Sequence, residues 1–234
     1  MAFPQVAAVN GGNNAVNSTE HTVNLPADIS ADDLLLVFFA SDAIPTITFP
    51  GGWTLLFQEV RQTFVKMGVW YRVADGEEDA TIVVTTDSER MSTHTSYRIT
   101  GYSETPEAGT PDGGWGNDPD PLSLTPTWGA KDTLWFVFCG YFDGNRAVED
   151  YPILYTDGRN DRCNDCGVGT ARRERNIITE DPGKFRLSGD VPFVVNTIAI
   201  QPAAGWSGKV LGVTNPAKVM GVDVANIAKV HGVA

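Results

Sequence analysis

Residues 134–139 read Leu-Trp-Phe-Val-Phe-Cys, a run that is apolar at every position. Side chains of a β-strand alternate between the two faces of its sheet, so a strand of this composition needs cover on both faces. Residues 34–40, Leu-Leu-Leu-Val-Phe-Phe-Ala, have the same character and the length of a buried strand. We therefore expect residues 134–139 at the centre of a sheet. One face should meet an opposite sheet, and the other should be covered by loops or by a partner subunit.

The other apolar segments of the chain are also short, rich in β-branched and aromatic residues, and separated by residues typical of turns. The predicted strands are Leu34–Ala40, Thr46–Phe49, Trp53–Glu59, Val65–Val73, Ala80–Thr85, Thr93–Thr100, Thr133–Tyr141, Ile153–Tyr155, Val168–Ile177 and Val194–Ile200. No stretch keeps a capped apolar stripe of helical period, so we expect little helix. The pattern predicts an all-β fold, a jelly-roll-like antiparallel β-sandwich with a short C-terminal repeat tail.

Two segments between the predicted strands stand out as loops. Residues 104–126 are rich in proline, glycine and aspartate, and we expect no regular element there. Residues 155–169 carry several acids together with Cys163 and Cys166. Long loops on a rigid sandwich are common places for binding function.

The composition, with 42% hydrophobic and 20% charged residues, is that of a globular chain. Its formal net charge of −12 disfavours binding to nucleic acid. The first residues lack the pattern of a signal peptide, and no apolar run is long enough to span a bilayer. We expect a protein made in the cytoplasm and not inserted in a membrane.

The most specific pattern lies at the C-terminus. The form Lys-Val-x-Gly-Val occurs at residues 209–213, 218–222 and 229–233. Residues 202–205 have the composition of a linker, so we divide the chain into a sandwich domain (1–201), the linker (202–205) and an assembly tail (206–234).

Each repeat has too few apolar residues to bury a face alone, and such units become stable by stacking on neighbours or on another chain. We expect short strands that pair between subunits or dock on a larger assembly. The alternative is a last hairpin packed on the chain's own sandwich. The predicted assembly residues are the valines of the repeats, Val210, Val213, Val219, Val222, Val230 and Val233.

The cysteines and loop acids do not form a strong metal pattern. Cys139 lies within the apolar run and is expected to be a buried, inert thiol. Cys163 and Cys166 form a lone C-x-x-C, whereas a structural zinc site needs four ligands. A loop disulfide or two free thiols fits better. The acids near residues 157–165 and 112–120 lack a calcium-loop pattern and are expected to be solvated, so we predict no metal and no cofactor.

The sequence also lacks a catalytic signature. No Gly-x-Ser-x-Gly motif is present. His94 falls in a strand with polar alternation, which indicates a surface or cross-strand residue. A hydrolase with a carboxylate pair assembled in space is the least favoured alternative, and we predict that the chain is not an enzyme.

Aromatic residues supply one candidate ligand contact. Trp115 and Trp128 flank the long loop at residues 104–126, and loop aromatics can stack on sugars or on protein partners. The sequence favours neither of two roles for Trp115, contact with a ligand or packing within its own loop. Trp53, Trp70 and Trp135 are interpreted as core residues.

Several short motifs together resemble a family of tailed-bacteriophage virion proteins. These motifs are Asn24-Leu25-Pro26-Ala27, Ala31-Asp32-Asp33-Leu34-Leu35-Leu36-Val37, Phe49-Pro50-Gly51-Gly52-Trp53-Thr54-Leu55, Tyr71-Arg72-Val73-Ala74-Asp75-Gly76-Glu77, Asp132-Thr133-Leu134-Trp135, Glu180-Asp181-Pro182-Gly183-Lys184-Phe185 and Thr197-Ile198-Ala199-Ile200-Gln201-Pro202. The tail repeat is likewise similar to C-terminal repeats of phage structural proteins.

The resemblance implies a β-sandwich of the virion, either a capsid decoration (cement) protein or a tail-fibre component. It implies other virion proteins as partners and a homo-oligomer, with a trimer favoured. The alternative function is a carbohydrate-binding, receptor-recognition module that uses Trp115 and the long loops to bind a host-surface glycan.

Overall fold

The structure is a computed structural model that describes residues 2–204 and, in the tail, four two-residue strands. Every regular element in these described residues is a strand. The strands are β1 Gln5–Asn24, β2 Leu34–Asp42, β3 Ile47–Thr48, β4 Thr54–Arg61, β5 Val65–Val73, β6 Thr81–Thr100, β7 Glu107–Ala108, β8 Asp112–Gly116, β9 Lys131–Phe142, β10 Val148–Asp150, β11 Thr156–Arg162, β12 Cys166–Ile177, β13 Arg186–Leu187, β14 Val191–Ile200, β15 Lys209–Val210, β16 Val213–Thr214, β17 Lys218–Val219 and β18 Val222–Asp223.

Two large antiparallel sheets, each of six strands, form the sandwich. The first has the order β1-β6-β2-β5-β4, with β3 also pairing β6. The second has the order β11-β12-β9-β14-β7, with β8 also pairing β14. The predicted all-β, antiparallel sandwich is confirmed. Each sheet is built from one continuous half of the chain, the first half ending with β6 and the second beginning with β7.

The two halves repeat the same strand order. The series β6-β2-β5-β4 in the first half corresponds to β14-β9-β12-β11 in the second. The pairing registers correspond as well, because Leu34 lies opposite Val73 and Ile99 while Leu134 lies opposite Glu174 and Ile200.

The turns correspond too. The amide of Ala43 donates to the carbonyl of Phe64 at 2.8 Å, and that of Asp143 donates to Asp165 at 2.9 Å. Ala43 and Asp143 share a left-handed backbone, with φ of 55° and 74°.

The central core lies between the sheets, where strands β2 and β9 face each other. Phe38 contacts the rings of Phe136 and Phe138 at centroid distances of 5.9 and 5.5 Å. Each such buried ring contributes about 1.5–3 kcal/mol through removal from water. Gly140 makes room for Met67, since a Cβ there would lie 1.7 Å from its sulfur.

The outer face of the first sheet is covered by the same chain. Strand β1, still paired with β6, folds back between Asn14 and Glu20, where the register shifts and where the Asn14 side chain meets the backbone of Thr22. The returning segment places Val23 and Leu25 over the apolar residues Leu35, Val37 and Phe39. Gly12 allows this close approach, because a Cβ there would lie 2.7 Å from the Asn24 side chain.

The outer face of the second sheet is covered by loops and by the small two-stranded sheet of β10 and β13. Trp135 and Val137 of β9 pack against a cluster that includes Tyr155, Phe185 and Leu187. Of the two covers predicted for the central strand, loops are thus the one observed. The doubly apolar strands therefore give no argument for a subunit contact.

Most predicted strands are present, and several expectations were wrong. Residues 104–126 contain β7 and β8, which pair with β14, because a glycine-rich backbone can still form ladder hydrogen bonds at a sheet edge. Residues 155–169 form most of the β11–β12 hairpin, whereas Ile153–Tyr155 is a turn. The 20-residue strand β1 was not predicted at all. Its side chains are mostly polar and only partly buried, so no apolar alternation marks it.

Candidate functional site

The tail repeats form hairpins with the same register in both described units. Lys209 pairs with Thr214 and Val210 with Val213 in the first unit. In the second, the corresponding pairs are Lys218–Asp223 and Val219–Val222. The third unit, with Val230 and Val233, lies outside the described residues. The Lys-Val-x-Gly-Val motif therefore specifies a repeated backbone unit with its valines at paired positions.

Each tail hairpin is minimal, with arms of two residues. An isolated two-stranded hairpin is at best marginally stable in water. Units of this size gain stability when neighbouring copies stack or when they join another sheet. Repetition of one register gives such a tail several equivalent contact units.

The second candidate site is the aromatic edge, which we define as Phe64, Trp115 and Phe142. Trp115 lies on β8 and is 59% exposed. Its ring meets that of Phe64 edge-on at 5.7 Å, and Phe64 in turn contacts Phe142 at 5.3 Å. Arg61 fixes the backbone beside Trp115 by donating from Nε to the carbonyl of Gly114 at 3.1 Å.

Trp115 could be identified from the sequence, but its aromatic neighbours could not. Phe64 lies in the turn before β5 and Phe142 at the end of β9, and only the tertiary fold brings them to Trp115. Trp128, its predicted companion, is instead half-buried and donates from its ring nitrogen to Thr133 at 3.1 Å. The core assignments hold, since Trp70 and Trp135 are buried and Trp53 packs on the outer cluster of the first half.

A serine–histidine contact is present in the first half, and the sequence did not reveal it. Ser92 Oγ lies 2.9 Å from Nδ1 of His21, whose Nε2 lies 2.9 Å from the Thr86 hydroxyl. Both Ser92 and His21 are completely buried. A nucleophile must meet its substrate, so this contact serves as a polar link inside the fold.

His94 is buried, so the expectation of a surface position was wrong, while the cross-strand position is correct. Its Nε2 accepts a hydrogen bond of 2.9 Å from the amide of Asn24, on the returning part of β1. Burial lowers the pKa of His94 to about 4, which keeps the ring neutral at physiological pH. Polar residues alternate along this part of β6 because the side chains on its outer face form hydrogen bonds with the backbone of the returning part of β1.

Glu180 is the most enclosed carboxylate among the described residues. It is completely buried and accepts hydrogen bonds from Arg173 at 2.8 Å, Arg175 at 3.5 Å and the Tyr155 hydroxyl at 3.2 Å. A buried carboxylate needs this degree of pairing to remain charged. All its partners belong to the second half, and the arrangement is that of a structural ion-pair network.

A depression of ≈ 470 Å³ lies on the outer side of this network. Its lining includes Arg172 and Arg173, which could attract an anion. Both are already paired, Arg172 with Asp157 at 2.9 Å and Arg173 with Glu180 at 2.8 Å. Binding an anion there would compete with these ion pairs.

The acids of residues 157–165 are more ordered than expected. Asp161 accepts a hydrogen bond from Thr95 at 2.6 Å and pairs with Arg159 at 3.4 Å. Asp157, although 60% exposed at its side chain, pairs with Arg172. In the described part of the chain, no group of three or more histidine, cysteine, aspartate or glutamate side chains is placed to hold a metal ion.

The two cysteines of the C-x-x-C motif lie side by side. Their sulfur atoms are 3.1 Å apart, and both residues are buried. Cys139 is completely buried elsewhere in the second half, and burial raises the pKa of its thiol. This buried position agrees with the expectation that the Cys139 thiol is inert.

Comparison with protein-family models, curated proteins and solved structures found no match to this chain. Within residues that the structure describes, no helix has the length and apolar character needed to cross a bilayer. The resemblance to phage virion proteins therefore remains a prediction from sequence motifs.

Proposed function

We propose that this chain is a non-enzymatic structural protein of a bacteriophage virion, either a capsid decoration protein or a tail-fibre component, and that it assembles through its C-terminal repeats. The observation that carries the proposal is the common register of the two described tail hairpins. Equivalent small units in series favour repeated contacts with other chains over a single packing contact.

The sandwich itself favours the tail as the assembly element. Both of its sheets have their outer faces covered by the same chain, so neither offers a broad apolar face to a neighbour. The repeat valines form another set of apolar residues, outside the sandwich, with the same spacing of three residues within each repeat. Other virion proteins or further copies of this chain, with a trimer favoured, are the proposed partners.

Charge substitution in the tail tests the proposal. In the full chain, Val219→Asp with Val222→Asp should dissociate the oligomer, because two carboxylates would be placed at paired positions of one hairpin. Light scattering after size-exclusion chromatography measures the mass. Val16→Asp is the control, since Val16 is 75% exposed on the sandwich and its substitution should leave the mass unchanged. A full chain that is monomeric at all concentrations would contradict assembly.

Location on the particle needs a separate measurement. Immunogold microscopy of intact virions, with antibody against residues 1–201, should label either the head or the tail. Label over the head supports a decoration protein, and label at the tail supports a fibre component. Unlabelled particles, combined with absence of the protein from purified virions by mass spectrometry, would refute the virion proposal.

A second candidate function is glycan recognition at the aromatic edge, favoured by the exposure of Trp115 and its support by Phe64. An exposed indole face can stack on a sugar ring. On a glycan array, Trp115→Ala should abolish any specific binding. Ile178→Ala is a matched control, since Ile178 is 58% exposed in the same half but away from the aromatic edge. Equal binding by both variants would refute this candidate.

A further inference from the structure

Cys163 and Cys166 flank the turn that joins β11 to β12. Their sulfur atoms lie 3.1 Å apart. The backbone holds them together, since the amide of Cys163 donates to the carbonyl of Cys166 at 2.9 Å. Cys163 is 6% exposed and Cys166 is completely buried. The sulfurs need to approach by only about 1 Å to reach the bonded distance of ~2.05 Å.

We propose that Cys163 and Cys166 are a dithiol that oxidises to a disulfide, with oxidised glutathione as a sufficient oxidant, and that this bond locks the end of the sandwich at the β11–β12 turn. The proposal is independent of the assembly proposed for the tail.

The chemistry has a defined order. The Cys163 thiolate attacks one sulfur of oxidised glutathione, forming a mixed disulfide and releasing one glutathione thiolate. The glutathione thiolate released in the first step takes the proton of Cys166, whose sulfur then attacks the Cys163 sulfur, forming the internal disulfide and releasing the second glutathione as a thiolate. Cys163 is the first nucleophile because it is the more exposed, and its hydrogen bond with Cys166 lowers its pKa. Burial raises the pKa of Cys166, so this residue stays a thiol while Cys163 reacts first, and its sulfur at 3.1 Å is placed for the second step.

The neighbouring turn shows what the bond would lock. The amides of Asp143 and Gly144 donate to the carbonyls of Asp165 and Asn164 at 2.9 and 3.0 Å. Gly144 packs so closely that a Cβ there would lie 1.5 Å from the Cys163 carbonyl oxygen. A bond that restrains the turn between β11 and β12 therefore restrains the turn after β9 as well.

The first experiment uses the full chain. It is incubated with oxidised or reduced glutathione, quenched with acid, unfolded, alkylated and mapped by mass spectrometry. Oxidation should remove both Cys163 and Cys166 from the alkylated set, with the peptide lighter by two hydrogens, and leave Cys139 alkylated. Hydrogen exchange at the amides of Asp143 and Gly144 should slow several-fold in the oxidised form.

Single variants separate the roles of the two thiols. Cys166→Ser should accumulate a glutathione adduct on Cys163, whereas Cys163→Ser should form an adduct on Cys166 many times more slowly. Cys139→Ala is the control and should oxidise like the unsubstituted chain. If a variant fails to fold, peptide mapping of the unsubstituted chain still decides the question. Full alkylation of all three cysteines after treatment with oxidised glutathione overturns the proposal, as does unchanged exchange at Asp143 and Gly144 in the disulfide form.

Discussion

The two halves of the sandwich share one strand order but protect their outer faces by different chemistry. The first half uses the returning part of β1, held by neutral hydrogen bonds such as those of Asn24 with His94 and with the Gly11 carbonyl, at 2.9 and 3.1 Å. The second uses aromatic loops and the buried ion pairs of Glu180. The first half thus relies mainly on neutral hydrogen bonds, with the ion pair of Asp33 and Arg98 beside them, and the second relies on the ion pairs of Glu180. Substitution of Glu180 and a lowered pH should therefore affect the two halves differently.

Removing the charge of Glu180 should affect stability most. Glu180→Gln leaves Arg173 in a largely buried position without its carboxylate, and breaking such a pair costs about 3–5 kcal/mol. Urea unfolding followed by tryptophan fluorescence measures the change. Asp33→Asn is the matched variant of the first half, where the ion pair is with Arg98 alone at 3.1 Å, and its cost should be smaller. Equal costs would remove the proposed difference between the halves.

Acid should weaken the first half selectively. The pKa of His94 is lowered from 6.5 to about 4 in the folded chain, so below pH 6.5 the unfolded chain binds a proton that the folded chain does not. Stability is then full above pH 6.5 and is lost as the pH falls towards 4, by about 3 kcal/mol at 1.36 kcal/mol per pKa unit.

Unfolding measured between pH 4 and 7 checks this loss. His94→Gln keeps an acceptor for the Asn24 amide and should make the profile shallower over this range, while His21, whose pKa burial also lowers, keeps part of the slope. The second half contains no histidine between residues 107 and 200. Hydrogen exchange should therefore show acid-induced opening of β1 and β6 before β12. The reverse order would contradict a role for His94.

The smallest effect concerns a contact between the halves. The Tyr97 hydroxyl lies 2.6 Å from that of Thr170, across the two sheets. Tyr97→Phe should cost about 1 kcal/mol, the usual contribution of one hydrogen bond. A double-mutant cycle with Thr170→Val isolates the pairwise energy from the packing change. A coupling energy near zero would mean that this hydrogen bond adds nothing to the packing between the two sheets.

The strands that could be predicted from the sequence are those marked by a local run of apolar residues. Residues 134–139 were placed correctly as a central strand, and β5 was predicted with its observed bounds. Strand β1 was missed because its stability comes from long-range pairing with β6 and from side-chain hydrogen bonds to its own returning segment. The correspondence between the halves was also missed, since it lies in strand order and register more than in matching side chains.

The candidate site was less predictable than the fold. The recurrence of Lys-Val-x-Gly-Val, at intervals of nine and eleven residues, was visible in the sequence, and the shared hairpin register shows what the two described repeats specify. Trp115 was identified from its loop context, but its contact with Phe64 arises between residues that only folding brings together. The buried positions of His21 and Ser92 likewise depend on how β1 turns back.

The matched strand order of the halves has a consequence for how the molecule can change. In a symmetric homodimer, each substitution appears in both subunits and must suit both environments. Here the two equivalent sheets belong to one chain, joined by a short connection between β6 and β7. A substitution therefore alters one face and leaves its counterpart as it was, so one half can acquire a new surface while the other preserves the common core.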